Sequence, residues 1–315
     1  KNIKFRSKIA GCLVFLTTLF AVIGGYVYSI DGVDGFNERT KDKNAYLSFF
    51  KNKDFNNKNN YFKIIDQKNS YKEKCNIKLL EDFFSGDDYN KPNKNIGTDC
   101  VERKEGKKSF FILGDSNAQH LYYGLKKNLP KDWHLNIMTA SGCEVQFKET
   151  SDSSIDACKK YNHLIYKHIK KLQPEIVLIA KQDNHEFKKM IKLEKNLLLS
   201  GVGKVIMPGP VPQWERGLPN VVVNHLWGTD DLFTFKGLKK KIIIQNNLLK
   251  KKFENDKNSS FVDFIDMLCS KDLGCRVSVN GDRKLGLVAW DYGHLTPAGS
   301  DYLARKLVNH IFVTD

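Results

Sequence analysis

From residue 109 onward, short apolar segments alternate with longer segments in which apolar residues recur every three or four positions. The short segments predict β-strands at 109–114, 135–139, 175–180, 204–207 and 261–265. The longer segments predict helices at 117–129, 156–172, 185–199, 237–253 and 297–312. Strands that alternate with helices of this length predict an α/β domain with a central parallel sheet covered on both faces. In such a sheet, functional sites lie at the carboxyl ends of the strands.

The first apolar segment of the chain has a different character. Residues 9–30 carry no charged side chain, and the eight residues before them include four lysines or arginines. The segment is long enough to cross a bilayer, at about 20 residues per span, with its basic flank on the cytoplasmic side. The sequence therefore predicts one transmembrane helix over residues 1–30. A cleaved signal peptide is the alternative, although no Ala-x-Ala site follows. The first residue is lysine rather than methionine, which fits the tail of a longer protein.

Residues 31–108 form a polar stretch between this segment and the alternating pattern. They are rich in asparagine, lysine and aspartate, contain scattered aromatic residues, and show no clear strand alternation. We interpret them as an extracytoplasmic linker or extension with short helices that packs against the main domain, residues 109–315.

The cysteines fit an exported protein. Apart from Cys12 in the apolar segment, the chain contains six, namely Cys75, Cys100, Cys143, Cys158, Cys269 and Cys275. In an exported domain, six cysteines suggest three disulfides, but the sequence alone leaves the connectivity open. Pairing of neighbours along the chain is the simplest arrangement. There is no CxxC pair and no Cys/His cluster at ligand spacing, so we predict no metal site.

The net charge of +15 suits an anionic partner such as a membrane surface or an acidic glycan. The lysines are spread along the chain, however, which favours a composition bias and solvated helix faces. No zinc finger and no RNA-binding aromatic signature accompanies them, so we expect no nucleic-acid partner. We predict no cofactor.

Three residues carry candidate chemistry. Ser116 follows the first predicted strand, and Asp291 and His294 lie just before the last predicted helix. A serine hydroxyl becomes a useful nucleophile when a base lies within hydrogen-bond reach and a carboxylate orients that base. Within one loop, Asp291 can bind Nδ1 of His294 and leave Nε2 free for the serine proton. We therefore predict a split Ser-His-Asp hydrolase site, although spacing alone does not pair its two halves.

The combination of these motifs resembles a known family. Gly114-Asp115-Ser116 at a strand end, with Asp291-x-x-His294 before the final helix, resembles the SGNH (GDSL-like) hydrolase superfamily over about 109–313. The resemblance implies a three-layer α/β/α fold. It also implies that Ser116 is the nucleophile, His294 the base and Asp291 the residue that orients the base.

Other details look like one branch of that superfamily, the SGNH domains fused to the C-terminus of membrane acyltransferase-3 proteins, which O-acylate cell-surface glycans. These details are the preceding apolar helix, the 141–143 loop, the proline-rich segment 208–214 and the hairpin between Cys269 and Cys275. The resemblance implies an acyl site outside the cytoplasm, and membrane helices upstream of this chain.

The family's oxyanion hole uses the backbone N–H of the serine, a glycine N–H in a second motif and an asparagine side chain in a third. In this chain the first two correspond to Ser116 and Gly142. The third motif departs from the usual Gly-x-Asn-Asp, because Lys181-Gln182-Asp183-Asn184 follows the third strand. Either Gln182 or Asn184 could donate there, or the hole could rely on two backbone groups.

The resemblance, together with the Ser116, Asp291 and His294 motifs, implies transfer of an O-acyl group to a cell-surface polysaccharide such as lipopolysaccharide O-antigen through a serine acyl-enzyme. Acetyl is the acyl group that the resemblance implies. The expected partners are an acyl donor, a surface glycan acceptor and the membrane. The expected location is the cytoplasmic (inner) membrane, with the catalytic domain periplasmic or extracellular. One alternative is a membrane-anchored glycan acetylesterase that uses water as the acceptor. A second is a non-catalytic glycan-binding module, which the departure in the third motif suggests.

Overall fold

The computed structural model describes residues 2–29, 41–51, 61–78, 93, 96–147, 156–182, 185–254 and 261–313. The chain divides into two units, Lys1–Ser48 and Phe49–Asp315. Helix Asn2–Ser29 lies in the first unit, and helix Lys41–Lys51 begins there. Among the described residues, no helix combines the length and the apolar character that crossing a membrane requires. The predicted transmembrane helix is therefore not supported.

A parallel sheet forms the centre of the second unit. The strands of the chain are β1 (Lys108–Gly114), β2 (Trp133–Thr139), β3 (Ile176–Ala180), β4 (Lys204–Pro208), β5 (Phe233–Thr234), β6 (Phe261–Val262), β7 (Cys269–Ser270) and β8 (Gly274–Arg276). Five of them form the sheet in the order β2-β1-β3-β4-β6, and every neighbouring pair is parallel. All residues of β1 after Lys108 are buried, as suits a central strand covered on both faces. The predicted α/β fold with a central parallel sheet is confirmed.

The register of the sheet aligns three strand ends. Gly114, the last residue of β1, pairs with Thr139 of β2 on one side and with Ala180 of β3 on the other. Because these are also the last residues of their strands, the three segments that follow them leave the sheet at one edge. Ser116, Gly142 and Gln182 all lie within three residues of that edge.

Helices cover the two faces of the sheet. On one face, apolar side chains of β1 and β3 pack in one cluster with helices Ala157–Leu172, Phe187–Leu198 and Lys240–Phe253. On the other, helices Tyr122–Asn128 and Pro297–Phe312 pack against each other, and the Gly124 N–H donates to Ser300 Oγ at 3.0 Å. A Cβ at Gly124 would overlap the Ser300 backbone, so glycine permits this close approach.

Three disulfides join cysteines that are neighbours along the chain, namely Cys75–Cys100, Cys143–Cys158 and Cys269–Cys275. The predicted disulfides are confirmed, in the simplest of the possible connectivities. The last of these disulfides joins β7 to β8 in the second, smaller sheet. In that sheet β8 pairs antiparallel with β5 and with β7.

Between residues 61 and 78, the extension contains helices Tyr61–Ile64 and Gln67–Ser70 and the short 3₁₀ turn Glu73–Cys75. It then runs beside β2, where the Ile77 N–H donates to the Thr139 carbonyl at 2.8 Å. Tyr61, Phe62 and Ile77 are buried. Residues 61–78 are thus packed into the second unit, and at Asn76 and Ile77 they pair with the end of β2.

Two predicted elements differ from the structure. The predicted strand 261–265 stops at Val262, because Asp263 caps helix Phe264–Leu268 by accepting from the Asp266 N–H at 3.0 Å. The predicted helix 117–129 is two helices, Ser116–Gln119 and Tyr122–Asn128, separated at His120. At the break, the His120 ring accepts a hydrogen bond from the Leu295 N–H at 3.2 Å, so a tertiary contact interrupts a locally helical sequence.

Candidate active site

Ser116 is placed by the turn that ends β1. Gly114 has a φ of 142°, and a Cβ there would lie against the Ala180 carbonyl and 2.7 Å from the Ala118 Cβ. Only glycine satisfies both the backbone conformation and the lack of space. Asp115 then caps the following helix, since its Oδ1 accepts from the Asn117 N–H at 2.8 Å. Ser116 is the first residue of that helix and is partly exposed.

Asp291 and His294 are held by a turn just before helix Pro297–Phe312. Asp291 Oδ1 accepts from the backbone N–H groups of Gly293, at 2.9 Å, and His294, at 2.7 Å. Its other oxygen, Oδ2, lies 2.6 Å from His294 Nδ1. The two carboxylate oxygens therefore have separate tasks: one shapes the turn, and the other orients the imidazole.

The two halves of the predicted site meet. His294 Nε2 lies 2.8 Å from Ser116 Oγ, across 178 residues of sequence. A carboxylate accepts hydrogen bonds, so the proton of the neutral ring is on Nδ1, and Nε2 is left as the acceptor for the serine hydroxyl. The side chains of His294 and Asp291 are 17% and 23% exposed. The chain of hydrogen bonds is therefore largely shielded from water but remains accessible from the protein surface.

The environment of His294 favours its charged form. Burial acts to lower the pKa of His294, but the charge of Asp291, its hydrogen bond and the charge of Asp115 outweigh burial and raise the pKa above its ordinary value. A base with a raised pKa holds a proton more firmly once it has taken one from serine. This property suits a residue that must take the proton from the serine hydroxyl.

His120 does not serve as a second base. It is 1% exposed, and burial together with the charge of His294 lowers the pKa of His120 well below its ordinary value. Its Nδ1 already accepts the hydrogen bond from the Leu295 N–H. His120 is therefore a neutral residue that supports the backbone next to His294.

Asp115 ties the serine turn to the end of β3. Its Oδ2 accepts from the Gln182 N–H at 3.0 Å, while Oδ1 caps the serine helix. Burial raises the pKa of Asp115, although the N–H groups of Gln182 and Asn117 and the charge of His294 act against this. Asp115 is thus a structural acceptor between two site segments, and it does not contact His294 through a hydrogen bond.

The oxyanion candidates lie at the same edge of the sheet. Within the described residues, the backbone N–H groups of Ser116 and Gly142 have no hydrogen-bond acceptor. The Gln182 N–H, in contrast, is bound to Asp115, which leaves only the side chain of Gln182 as a donor. The last candidate, Asn184, lies outside the described residues. A cavity of about 370 Å³ at this edge is lined by Asp115, Gly142 and Gln182 together with Cys143, Glu144, Lys181, Glu186 and Lys189.

The proline-rich segment supports the Asp291 turn. Trp214, which is fully buried, donates its backbone N–H to the Tyr292 carbonyl at 2.7 Å, and the Leu218 N–H donates to the Asp291 carbonyl at 2.9 Å. Gln213 Nε2 donates to the Gln182 carbonyl at 3.1 Å. The sequence pattern did not identify Gln213, although its place in a segment of prolines was a signal of a rigid loop.

No three His, Cys, Asp or Glu side chains gather to form a metal-binding group in the parts of the chain that the structure describes.

One family model and one solved structure agree with this architecture. Residues 82–309 match the family model of the SGNH domain (fused to AT3 domains). No curated protein matches the chain. Among solved structures, the chain is similar to the periplasmic domain of a lipopolysaccharide acetyltransferase from Salmonella ser. Paratyphi A, with 24% identity and a TM-score of 0.63, over 80% of this chain and 96% of that one. It also matches a carbohydrate acetylesterase family member from Sinorhizobium meliloti, with 10% identity and a TM-score of 0.37, over 66% of this chain and 98% of that one.

The structural similarity to the Salmonella domain concerns the fold, whereas the family match covers the greater part of the sequence. The family match also spans both halves of the candidate site, from Ser116 to His294. This chain belongs to the family of SGNH domains that are fused to AT3 domains.

Proposed function

We propose that this chain is a serine-dependent O-acyltransferase that moves a short acyl group, acetyl above all, to a hydroxyl of a cell-surface polysaccharide such as lipopolysaccharide O-antigen. The observation that carries the proposal is the continuous hydrogen-bond chain from Ser116 Oγ through His294 to Asp291. Membership of the SGNH family, and a fold shared with the periplasmic domain of a lipopolysaccharide acetyltransferase, support acyl chemistry in general.

In the first half-reaction, Ser116 Oγ attacks the carbonyl carbon of the acyl donor while its proton passes to His294 Nε2. Asp291 keeps the imidazole in the correct tautomer and stabilises the imidazolium that forms. The N–H groups of Ser116 and Gly142 receive the developing oxyanion. The tetrahedral intermediate then collapses, the donor leaves with the proton from Nε2, and the acyl group stays on Ser116.

The second half-reaction reverses these steps with a different partner. A sugar hydroxyl gives its proton to His294 Nε2 and attacks the acyl carbon, and Ser116 Oγ leaves and regains that proton. The side-chain donors around the cavity, such as Lys181 and Gln182, supply polar groups that can bind sugar hydroxyls.

We propose an extracytoplasmic location for this domain, in the periplasm or outside the cell. The three disulfides support it, because disulfides persist in oxidising compartments and are rare in the cytosol. The family is described as fused to AT3 domains, and this fusion supports association with the cytoplasmic membrane. The acyl donor would then reach Ser116 from the membrane side.

The same residues would also serve a glycan acetylesterase, in which water replaces the sugar hydroxyl. The two functions differ only in the acceptor that reaches the acyl-enzyme. Transfer is preferred because the matching family is that of SGNH domains fused to AT3 domains, and the acetyltransferase domain from Salmonella has the same fold.

The test compares the chain with its Ser116→Ala variant on p-nitrophenyl acetate, with and without a lipopolysaccharide oligosaccharide as acceptor. We expect a loss on the order of 10⁴- to 10⁶-fold in ester turnover, and loss of acetylated oligosaccharide by mass spectrometry. Ser109→Ala, at the opposite end of β1, is the matched control and should keep both activities. Full acetylation by Ser116→Ala would overturn the proposal, and ester cleavage that never yields acetylated oligosaccharide would favour the esterase.

A further inference from the structure

Asn76 is a fully buried residue of the extension, and its side chain reaches the active-site edge of the sheet. Its Oδ1 accepts from the backbone N–H groups of Ser141 and Lys78, both at 3.3 Å. Its Nδ2 donates to Ser141 Oγ at 3.0 Å and to Gln119 Oε1 at 3.2 Å. The amide thus makes the four hydrogen bonds that an asparagine side chain can make.

The orientation of this amide is fixed by its neighbours. Backbone N–H groups can only donate, so the atom that faces both Ser141 N and Lys78 N must be the oxygen. The nitrogen consequently points to Ser141 and Gln119. The position of Asn76 is equally fixed, because Cys75 is joined to Cys100 and the Ile77 N–H is bound to the Thr139 carbonyl.

The two residues that Asn76 binds belong to the two segments that must cooperate at Ser116. Gln119 is the last residue of the short helix that begins with Ser116. Ser141 directly precedes Gly142, whose N–H has no acceptor among the described residues. One side chain from outside the family match, which begins at residue 82, therefore links the nucleophile segment to the oxyanion segment.

The direction of the Gly142 N–H depends on the turn that contains it. Residues 140–143 form a turn closed by the Cys143 N–H and the Ala140 carbonyl at 2.9 Å, and Gly142 has a φ of 71°. Gly142 is the third residue of this turn, and a positive φ at the third residue is characteristic of a type II turn. A change to type I would turn over the peptide between Ser141 and Gly142 and point its N–H to the opposite side. The bonds from Asn76 to the N–H and to the side-chain hydroxyl of Ser141 oppose this change.

We propose that Asn76 is a positioning residue that holds the Gly142 N–H toward the oxyanion that forms at Ser116. It acts through Ser141 and Gln119 and does not touch the substrate. The inference rests on the proposed function, because it needs Ser116 to be the nucleophile. An N–H aimed at the oxyanion stabilises the transition state more than the bound substrate, so the effect belongs to kcat and not to KM.

The experiment measures ester turnover by the full chain and by Asn76→Ala, with each preparation normalised by active-site titration with a phosphonate that labels Ser116. We expect kcat per titrated site to fall by about 10- to 10²-fold, with KM changed by less than about threefold. Inhibition by an aryl boronic acid, which forms a tetrahedral adduct, should weaken by the same factor as kcat/KM. The pH midpoint of kcat/KM should stay in place, since His294 and Asp291 are unaltered.

Asn246→Ala is the matched control, because Asn246 is also 0% exposed and contacts Asp263 rather than the site. It should lower the titrated fraction or the stability while kcat per site stays at the wild-type value. If Asn76→Ala does not fold, Asn76→Asp keeps the acceptor for both N–H groups and places a buried negative charge behind the oxyanion loop. We expect at least as large a fall in kcat per site for this variant.

A wild-type kcat per titrated site in Asn76→Ala or Asn76→Asp, in a protein whose Ser116→Ala variant is inactive, would overturn the inference and leave the proposed function standing. An active Ser116→Ala variant would instead overturn the proposed function itself. The two failures are therefore distinguishable.

Discussion

Trp290 lies flat against the imidazole of His294, with ring centroids 5.4 Å apart and an angle of 15° between the ring planes. Phe62 packs edge-on against Trp290, at 4.9 Å and 82°. At the residue that follows the histidine, the Tyr71 hydroxyl donates to the Leu295 carbonyl at 2.8 Å. The plane of the His294 imidazole is therefore fixed by packing as well as by Asp291, and part of that packing comes from the extension.

Replacing Trp290 by leucine should loosen the imidazole and remove an aromatic face that favours its charged form. Such a face contributes about 0.5 to 1 kcal/mol to a cation, so the acid limb of the kcat/KM profile should move down by about half a pH unit. A several-fold loss of kcat should accompany the shift. The measurement is ester turnover between pH 5 and 9.

Trp133→Leu is the control for this change. Trp133 begins β2, at the end of the strand away from the site, and packs against Phe312 with ring centroids 5.0 Å apart. Its replacement should cost stability and leave the pH profile in place. An unshifted profile in Trp290→Leu would show that the stacking has no electrostatic role.

The pH dependence of activity follows from the raised pKa of His294. The base must be neutral to accept the serine proton, so kcat/KM should rise with pH through a midpoint above the ordinary histidine value of about 6.5. In Asp291→Asn, the anionic partner is lost, so the midpoint should fall and kcat should drop on the order of 10⁴-fold. A midpoint that is the same in both proteins would mean that Asp291 does not set the pKa of His294.

Gly114→Ala should be among the most destabilising single changes in the domain. The new Cβ would meet the Ala180 carbonyl and the Ala118 Cβ, and alanine disfavours a φ of 142°. We expect a loss of at least about 3 kcal/mol in the free energy of unfolding, measured by urea denaturation.

Gly106→Ala is the control that separates the cost of the backbone conformation from the cost of steric overlap. Gly106 has a φ of 70°, but a Cβ there would have nothing within 4 Å. Its replacement should cost only about 1 to 2 kcal/mol. Equal losses for the two alanine variants would show that the contact with Ala180 is relieved at little cost.

The three disulfides should differ in their contribution to stability according to the loop that each closes. The sequence separations are 25 for Cys75–Cys100, 15 for Cys143–Cys158 and 6 for Cys269–Cys275. Loop-closure entropy then predicts losses of about 3.5, 3.0 and 2.2 kcal/mol when each pair is replaced by alanines. Denaturant unfolding of the three double variants gives the order. A larger loss for the 269–275 pair than for the 75–100 pair would contradict this account.

The sequence predicts the structure correctly where the local pattern of residues alone determines the element. The apolar run after Lys108 can only be a buried strand, and the serine turn follows from the Gly114-Asp115-Ser116 motif. The prediction failed at 261–265, where Asp263 has the position of a helix cap inside an apolar run. That cap was visible in the sequence, but it competed with a strand pattern of the same length.

Other features had no local signal. Asn76 is one of many asparagines in a polar stretch, and its role arises from contacts with Gln119 and Ser141, which are 43 and 65 residues away. The loss of the Gln182 N–H as an oxyanion donor likewise depends on a bond to Asp115, 67 residues away. Such contacts are set by the register of the strands, which the periodicity of side chains does not determine.

The packing of residues 61–78 bears on where the smallest intact unit of this chain begins. Phe62, Tyr71 and Asn76 all lie before residue 82, where the family match begins, yet each supports a segment that carries Ser116, Gly142 or His294. The smallest unit that keeps these contacts therefore begins near Tyr61. A fragment cut at residue 82 would leave the segments that carry Ser116, Gly142 and His294 without part of their packing.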